Sequence, residues 1–221
     1  FYGPPGTGKT TVARIIGKIY HEAGLLSQGQ FTEVTRTELV GKYLGYTAPL
    51  VKSVFEKAKG GVLFIDEAYS LTVGQSQNDY GKEAVDTLLK AMEDHRDDLV
   101  VIAAGYTEPM ERFLASNPGL ESRFNKYIDF PDYNGEELNA IFLGLCQKNG
   151  YELDEETAAY ARAYFDSLYE GRDENFGNGR DVRNHFEAMV IRQADRVAAM
   201  DAPTKEDLVR FTKEDFLPEE A

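Results

Sequence analysis

Apolar residues recur every three or four positions in some segments of this chain and run continuously in others. The first pattern predicts helices, and the second, bounded by glycines, predicts parallel strands that are buried on both faces. Over the first 130 residues the two patterns alternate. Helices are predicted at 9–24, 50–58, 80–94 and from 108 onward, and strands are predicted at 31–35, 61–68, 99–105 and 127–130. Thr107 is predicted to cap the helix that begins at residue 108.

After Pro131 only helical patterns remain. They cover 135–148, 154–169 and 179–200, with a short one near 205–210, and Asn134 is a candidate N-cap. This order predicts an α/β domain over 1–131, with a parallel sheet flanked by helices, followed by a small all-helical domain over 132–221.

Composition narrows the class of protein. The 221 residues are 42% hydrophobic and 28% charged, as in folded globular proteins, and the net charge of −14 disfavours a nucleic-acid partner. The apolar runs are too short for membrane insertion. A single cysteine, Cys146, excludes an internal disulfide and fits the cytoplasm, where it is expected to be an inert buried thiol.

The segment "GPPGTGKT" has the spacing of a phosphate-binding loop that leads into a helix. Glycines let backbone N–H groups curl around a phosphate, Lys9 can reach the β- and γ-phosphates, and the Thr10 hydroxyl can ligate Mg²⁺. The alternative is an ordinary glycine-rich turn before a helix. The predicted nucleotide-binding residues are those of this segment, Gly3, Pro4, Pro5, Gly6, Thr7, Gly8, Lys9 and Thr10, together with the following Thr11.

A second candidate site follows the apolar run "VLFI". Asp66 would lie beside the Mg²⁺, and Glu67 could polarise a water molecule. Alone, these carboxylates would suggest a solvated strand end. Following the loop in this order, they favour ATP hydrolysis.

Four segments occur in an order that resembles the AAA+ ATPases: "GPPGTGKT", "LFIDEA", "NPGLESRF" and "GNGRDVRN". Three longer ones are similar to the CbxX/CfqX group, which includes red-type Rubisco activases, stage V sporulation protein K relatives and type VII secretion ATPases. They are "KYLGYTAPLVKSVFEKAKGGVLFIDEAYSL", "DYGKEAVDTLLKAMEDHRDDLVVIAAGY" and "NPGLESRFNKYIDFPDYNGEEL". The resemblance implies a P-loop fold with a helical lid, ATP and Mg²⁺ as cofactors, and a ring that is usually hexameric.

The resemblance also implies roles for single residues. Arg123 matches the arginine finger that reaches a neighbour's γ-phosphate, the alternative being a surface salt bridge. Arg180 matches the sensor-2 arginine, and Arg183 is the alternative candidate for that role. At the sensor-1 position, where an asparagine is common, this chain has Tyr106 and Thr107; either hydroxyl could orient water, but Tyr106 could equally pack against the next helix.

The resemblance places the phosphate loop after the central strand of the sheet, yet only Phe1 and Tyr2 precede Gly3. We therefore expect the first central strand to be truncated and the sequence to be part of a longer chain. Residues that bind adenine would lie in the missing part, so the identification of the nucleotide as ATP rests on the resemblance alone.

The loop "VGKYLGYTAP" has two tyrosines where polar turn residues are usual. Lys42, Tyr43, Leu44 and Gly45 match the pore loop of related rings, in which an aromatic residue grips a protein substrate. The alternative is that Tyr43 packs beneath its own loop. Residues 72–80 would form a second pore loop.

The sequence thus predicts a homo-oligomeric ring ATPase that threads or remodels a protein. A nucleotide-dependent assembly switch or scaffold, without threading, is the alternative. A DNA-handling motor is disfavoured by the acidic charge and by the aromatic loop.

Overall fold

The structure is a computed structural model that describes residues 1–73 and 80–216. Its contacts divide the chain into two compact units. Unit 1 comprises Phe1–Pro4 and Gly8–Phe130, and unit 2 comprises Pro5–Thr7 and the chain from Pro131 onward. The tip of the predicted phosphate loop therefore belongs to unit 2.

Unit 1 is built on a parallel sheet of three strands in the order β1-β2-β3. The strands are β1 Phe31–Val34, β2 Val62–Ile65 and β3 Val100–Ala103. In their register Phe31 pairs with Val62, and Val62 pairs with Val100. The start of the chain extends this sheet, because Tyr2 forms parallel bridges to Gly105 and to Asp129.

Helices cover both faces of this sheet. Successive residues of a strand point to opposite faces, so the side chains on both faces are buried beneath helices. Leu63 and Ile65 pack in one apolar cluster, while Val62 and Phe64 pack in another with Ala13. All four residues of β2 are buried, which explains their continuous apolar run. The helices of unit 1 are α1 Lys9–Glu22, α2 Arg36–Leu39, α3 Thr47–Ala58, α4 Gly81–Asp94, α5 Thr107–Ala115 and α6 Pro118–Arg123, with a 3-10 helix at Ala68–Thr72.

Unit 2 is mainly helical and surrounds a core rich in phenylalanine. Asn134 caps its first helix in a capping box with Glu137, and Asp154 caps the second. The helices are α7 Gly135–Asn149, α8 Glu155–Glu170, α9 Gly179–Ala198 and α10 Lys213–Phe216; two short strands, β4 Glu152–Leu153 and β5 Arg210–Phe211, pair in parallel. The buried phenylalanines include Phe142, Phe165, Phe186, Phe211 and Phe216.

The predicted fold class is confirmed, while several local predictions are wrong. Residues 205–209 form turns rather than a helix, and residue 210 begins β5. The predicted strand at 127–130 is reduced to the single bridge at Asp129. Thr107 is the first residue of α5 and not its cap, because Tyr106 has the extended backbone of the N-cap position.

Among the described residues, no helix combines the length and the apolar character that crossing a bilayer requires.

Candidate nucleotide site

The carboxyl ends of the parallel strands bring the predicted site residues of unit 1 to one edge of the sheet. Gly3 directly follows Tyr2, Asp66 follows β2, and Gly105 follows β3 two residues after its end. Hydrogen bonds fix this edge: Gly3 N donates to Gly105 O (3.2 Å), and Tyr2 N donates to Ile128 O (3.1 Å). Open parallel sheets bind ligands at this edge, so its location suits a nucleotide.

The phosphate loop has a backbone that demands glycine. Gly3, Gly6 and Gly8 have φ values of +145°, +71° and +87°, which side chains rarely tolerate. Space is equally restrictive, since a Cβ added at Gly3 would lie 2.1 Å from the carbonyl oxygen of Phe130.

Lys9, at the start of α1, places its ammonium group against the loop. Its Nζ donates to the carbonyl oxygens of Gly3 (2.9 Å) and Pro4 (2.6 Å). Gly8 offers no side chain to cap α1, and the first turn contains no acidic residue. The positive end of the helix dipole and the ammonium group therefore favour an anion here, so the loop fits a phosphate group.

The loop tip, residues 5–7, is held by other residues of unit 2. Tyr133 donates its phenol to Thr7 O (2.8 Å), Gly179 N donates to Gly6 O (3.1 Å), and Asn178 Nδ2 donates to Pro5 O (3.2 Å). A Cβ added at Gly6 would lie 1.9 Å from the carbonyl oxygen of Gly177.

Asn178 is the buried centre of this arrangement, and sequence reasoning missed it together with Tyr133. The side chain of Asn178 is fully buried, and its φ is +53°. Its Oδ1 accepts from Tyr133 N (2.8 Å), while its Nδ2 also donates to Asp132 Oδ1 (2.8 Å). The one available signal was the motif "GNG", whose glycines surround a residue with an unusual backbone.

The two arginines that compete for the sensor-2 role occupy different places on α9. The backbone N of Arg180 lies 3.0 Å from a Cβ added at Gly6, so the first turn of α9 abuts the loop tip. Arg183 instead lines an open groove with Leu145 and Phe186. Both side chains are exposed.

The two carboxylates stand in a turn that is anchored by neighbouring strands. Asp66 N donates to Val34 O (2.9 Å) and Ala68 N to Ala104 O (3.0 Å), and between them Glu67 is forced into the left-handed region at φ +47°. A glutamate rarely adopts this conformation, and such strain clusters at functional sites. Asp66 is half-buried and its Oδ1 accepts from Glu67 N (3.1 Å), whereas Glu67 is exposed.

The candidate oxygen donors suit Mg²⁺ better than a transition metal. The described residues contain no group of three or more His, Cys, Asp or Glu that could hold a metal ion. Mg²⁺ is usually bound through one or two protein oxygens, with phosphates and water completing its shell. The Thr10 hydroxyl and the Asp66 carboxylate supply that kind of oxygen.

Tyr106 and Thr107 lie where β3 leads into α5. Tyr106 is 42% exposed, and its ring lies 6.3 Å from the ring of Tyr69. Thr107 is also exposed.

Arg123 ends α6, whose first turn is capped by the Asn117 side chain accepting from Gly119 N (2.8 Å). The Arg123 side chain is 33% exposed, and its Nη2 lies 3.8 Å from Glu93 Oε2. Its Nε is buried without a hydrogen-bond partner among the described residues. The one ion pair of the Arg123 guanidinium among the described residues is long.

The tyrosine loop between α2 and α3 presents its apolar side chains to solvent. Tyr43 is 69% exposed and Leu44 is 80% exposed, so Tyr43 does not pack beneath its loop. The loop is anchored at one end by Gly41 N, which donates to Thr47 Oγ1 (3.0 Å), and turns at Gly45 with φ +81°. Most of the predicted second pore loop, residues 74–79, lies outside the described residues.

Two family models match this chain. The model described as "ATPase family associated with various cellular activities (AAA)" matches residues 1–132, and the model of the AAA lid domain matches residues 134–221.

Curated relatives align along almost the whole chain. Ribulose bisphosphate carboxylase/oxygenase activase of Cyanidioschyzon merolae is 46% identical over 98% of this chain and 74% of its own length. Stage V sporulation protein K of Bacillus subtilis is 44% identical over 100% of this chain and 69% of its own, and protein CbxX of Cupriavidus necator is 44% identical over 98% and 68%.

Among solved structures, the AAA domain of FIGL-1 in complex with ADP superposes with a TM-score of 0.62 at 22% identity. It covers 97% of this chain and 68% of that one. At this identity the match establishes the fold alone.

Proposed function

We propose, on the premise that this chain belongs to the AAA family of ATPases, that it hydrolyses ATP with Mg²⁺ at a site completed by a neighbouring copy of itself. The hydrolysis would drive remodelling of a protein substrate. The observation that carries the proposal is that Gly3, at the base of the phosphate loop, and the Asp66–Glu67 turn lie at the same edge of the sheet.

The loop residues would bind and orient the phosphates. Backbone N–H groups of residues 6–11 would surround them, and Lys9 would exchange its loop carbonyls for phosphate oxygens, which are stronger acceptors. Thr10 and Asp66 would hold Mg²⁺, which when bound neutralises charge on the phosphates.

Glu67 would activate the attacking water. Its carboxylate is exposed, and hydrogen bonds on both sides of Glu67 anchor the backbone of the turn that carries it. For sensor 1 we favour Tyr106 over Thr107, because the Tyr106 ring lies 6.3 Å from the ring of Tyr69, two residues after Glu67. For sensor 2 we favour Arg180 over Arg183, because Arg180 begins the helix that abuts the loop tip.

Arg123 would act on the nucleotide of the next subunit. An arginine finger must reach a neighbouring subunit, and the 3.8 Å ion pair of Arg123 with Glu93 is weak enough to be exchanged for a phosphate contact. This assignment makes a ring, which we propose to be a hexamer, necessary for full activity.

The tyrosine loop would contact the substrate. Tyr43 and Leu44 offer apolar and stacking contacts that do not depend on substrate sequence, and Gly45 gives the loop conformational freedom. We propose a protein substrate rather than nucleic acid, since the net charge is −14. With one buried thiol, Cys146, the chain suits the cytoplasm.

A Glu67→Gln substitution tests the hydrolysis proposal. We expect turnover to fall at least a hundredfold with nucleotide affinity nearly unchanged, because the amide retains the shape of the side chain but cannot accept a proton. ATPase rate and fluorescent-nucleotide titration measure the two quantities. Glu111→Gln, on an exposed position of α5, is the matched control and should match wild type. Normal turnover in Glu67→Gln would contradict the assignment.

A further inference from the structure

Three consecutive carbonyl groups at the tip of the phosphate loop each accept a hydrogen bond from another residue of unit 2. The pairs, donor first, are Asn178 Nδ2 with Pro5 O at 3.2 Å, Gly179 N with Gly6 O at 3.1 Å, and the Tyr133 hydroxyl with Thr7 O at 2.8 Å. The backbone of the loop tip is therefore held on its carbonyl side.

These carbonyl contacts also set the direction of the loop N–H groups. Among the described residues no peptide bond is cis, and in a trans peptide the carbonyl and the next N–H point in opposite directions. The N–H groups of residues 6, 7 and 8 are therefore directed away from the three donors. Successive N–H groups on one side of a curled backbone form the concave arrangement that binds an anion.

The side chain of Asn178 can make its contacts in one orientation only. It is fully buried, and Nδ2 donates to Asp132 Oδ1 (2.8 Å) as well as to Pro5 O. Its Oδ1 accepts from Tyr133 N (2.8 Å). A reversed amide would place its oxygen against two acceptors and its nitrogen against a donor, so the partners exclude that orientation.

The backbone at Asn178 is strained in the conformation that places this side chain. Its φ of +53° and ψ of −127° are rare for a residue other than glycine. Neighbouring bonds hold it there: Gly177 N donates to Asp181 Oδ2 (2.7 Å), and Asp181 N donates to Asn178 O (3.0 Å). Strain that the surrounding structure maintains in this way is concentrated at functional sites.

We propose that Asn178 is a positioning residue for the phosphate loop, assisted by the Tyr133 hydroxyl: both hold loop carbonyl groups so that the N–H groups of residues 6–8 face the phosphates. The inference rests on the proposed nucleotide-binding role of this loop. A glycine-rich backbone has many accessible conformations, and a loop that is already ordered loses less conformational entropy when nucleotide binds. Neither side chain has to touch the nucleotide.

Asn178→Asp keeps the shape of the side chain and removes its donor group. A carboxylate would then face the Pro5 oxygen and the Asp132 carboxylate, and this repulsion should displace the loop tip. We expect the affinity for a fluorescent ATP analogue with Mg²⁺ to fall at least tenfold. The midpoint of denaturant unfolding should fall as well, because two carboxylates are placed together.

Combining Asp132→Asn with Asn178→Asp separates positioning from a merely structural role. The exchange restores a hydrogen bond between positions 132 and 178, but a carboxylate still faces Pro5 O. The unfolding midpoint should therefore return close to the wild-type value, while the nucleotide affinity stays at least tenfold reduced. Recovery of affinity together with stability would overturn the inference.

Asp132→Asn alone is the control for this exchange. Its amide oxygen can still accept from Asn178 Nδ2, and the donor to Pro5 O is unchanged. Its nucleotide affinity should lie within about twofold of wild type, because a neutral acceptor replaces a charged one at the same place. A tenfold loss in this variant would show that the charge of Asp132, and not the Asn178 amide, positions the loop.

Tyr133→Phe tests the second contact, because it removes the hydroxyl and leaves the backbone N–H that bonds to Asn178. We expect nucleotide affinity to fall about fivefold, as for the loss of one hydrogen bond. Tyr164→Phe is the matched control, since both tyrosines are half-buried residues of unit 2 whose pKa is raised by burial. Wild-type affinity in both Tyr133→Phe and Asn178→Asp would overturn the inference.

Lys9→Ala tests the proposed function of the loop separately. Wild-type affinity in Lys9→Ala would show that the loop is not the phosphate site, so the proposed function itself would fail. Weak binding by Lys9→Ala, together with wild-type binding by Asn178→Asp and Tyr133→Phe, would refute only the positioning role. The same fluorescent titration measures all of these proteins.

Discussion

At the scale of single residues, backbone conformation and close approach decide which residue types the site accepts. Gly6 combines a φ of +71° with only 1.9 Å between its added Cβ and the Gly177 oxygen. Glu67 adopts a left-handed conformation although it has a side chain, because bonds on both sides of it hold the turn. Position 6 accepts only glycine, whereas position 67 holds a glutamate in a strained backbone conformation.

Gly6→Ala should therefore weaken nucleotide binding at least tenfold, because the methyl group forces the loop tip away from Gly177. Fluorescent-nucleotide titration measures the loss. Gly144→Ala is the control, since an added Cβ meets nothing within 4 Å there, and its affinity should equal wild type. Equal affinities in all three proteins would contradict the loop geometry.

His185 should make the stability of unit 2 depend on pH. It stacks on Tyr164 at 4.5 Å and lies 4.6 Å from Phe216, and its Nε2 is buried without a partner among the described residues. Burial, with a smaller contribution from the charge of Arg192, lowers its pKa from 6.5 to about 4. Between pH 6.5 and pH 4 the unfolded chain therefore takes up a proton at His185 that the folded chain does not bind. The free energy of unfolding falls as the pH drops through this window.

The test of His185 is denaturant unfolding at pH 7 and at pH 5. His185→Phe keeps an aromatic ring that cannot be protonated, so its loss of unfolding free energy should be smaller than that of wild type by about 2 kcal/mol. An identical pH dependence in the two proteins would show that His185 does not carry the effect.

Candidate site residues could be proposed from sequence where they form one contiguous motif. Lys9 and Glu67 lie in such motifs, so their chemistry is visible without a fold. Tyr133 and Asn178 were not predicted to contact the phosphate loop, because these contacts come from segments brought close only by folding, such as Asn178 with Pro5.

At the scale of helices, strands and loops, length determines what the sequence reveals. Helices of twelve residues or more, such as α3 and α4, show a clear apolar period. Helices of four to six residues, such as α2 and α6, are too short to show a recognisable apolar period. The predicted helix at 205–210 was wrong because β5 is held by pairing with the distant β4.

The tyrosine loop is the element that should separate threading from a simple assembly switch. Tyr43→Ala should leave ATPase turnover within about twofold of wild type and abolish remodelling of a protein substrate, because it removes only the exposed aromatic contact. The ATPase rate and the remodelling of the protein substrate are measured on the same preparation. Tyr127→Ala, another exposed tyrosine of unit 1, serves as control. Full remodelling by Tyr43→Ala would favour a switch.

At the scale of the whole molecule, the central claim is that each active site combines two subunits. Glu67 would act on the nucleotide of its own chain and Arg123 on that of a neighbour. Membership of the family accounts for the ATPase fold, but a site formed by two subunits is not visible in a single chain. Sequence could suggest this only through the resemblance, because no pattern of apolar residues encodes which surface faces a second copy.

Mixing two inactive variants tests this claim most directly. Glu67→Gln and Arg123→Ala should each have low ATPase activity alone, and Arg112→Ala, an exposed arginine of α5, should resemble wild type. Mixed in equal amounts and allowed to exchange subunits, the two inactive variants should regain activity, because about one quarter of random interfaces join an intact Glu67 to an intact Arg123. A mixture that stays as inactive as its components, or an Arg123→Ala protein with wild-type turnover, would contradict the shared site.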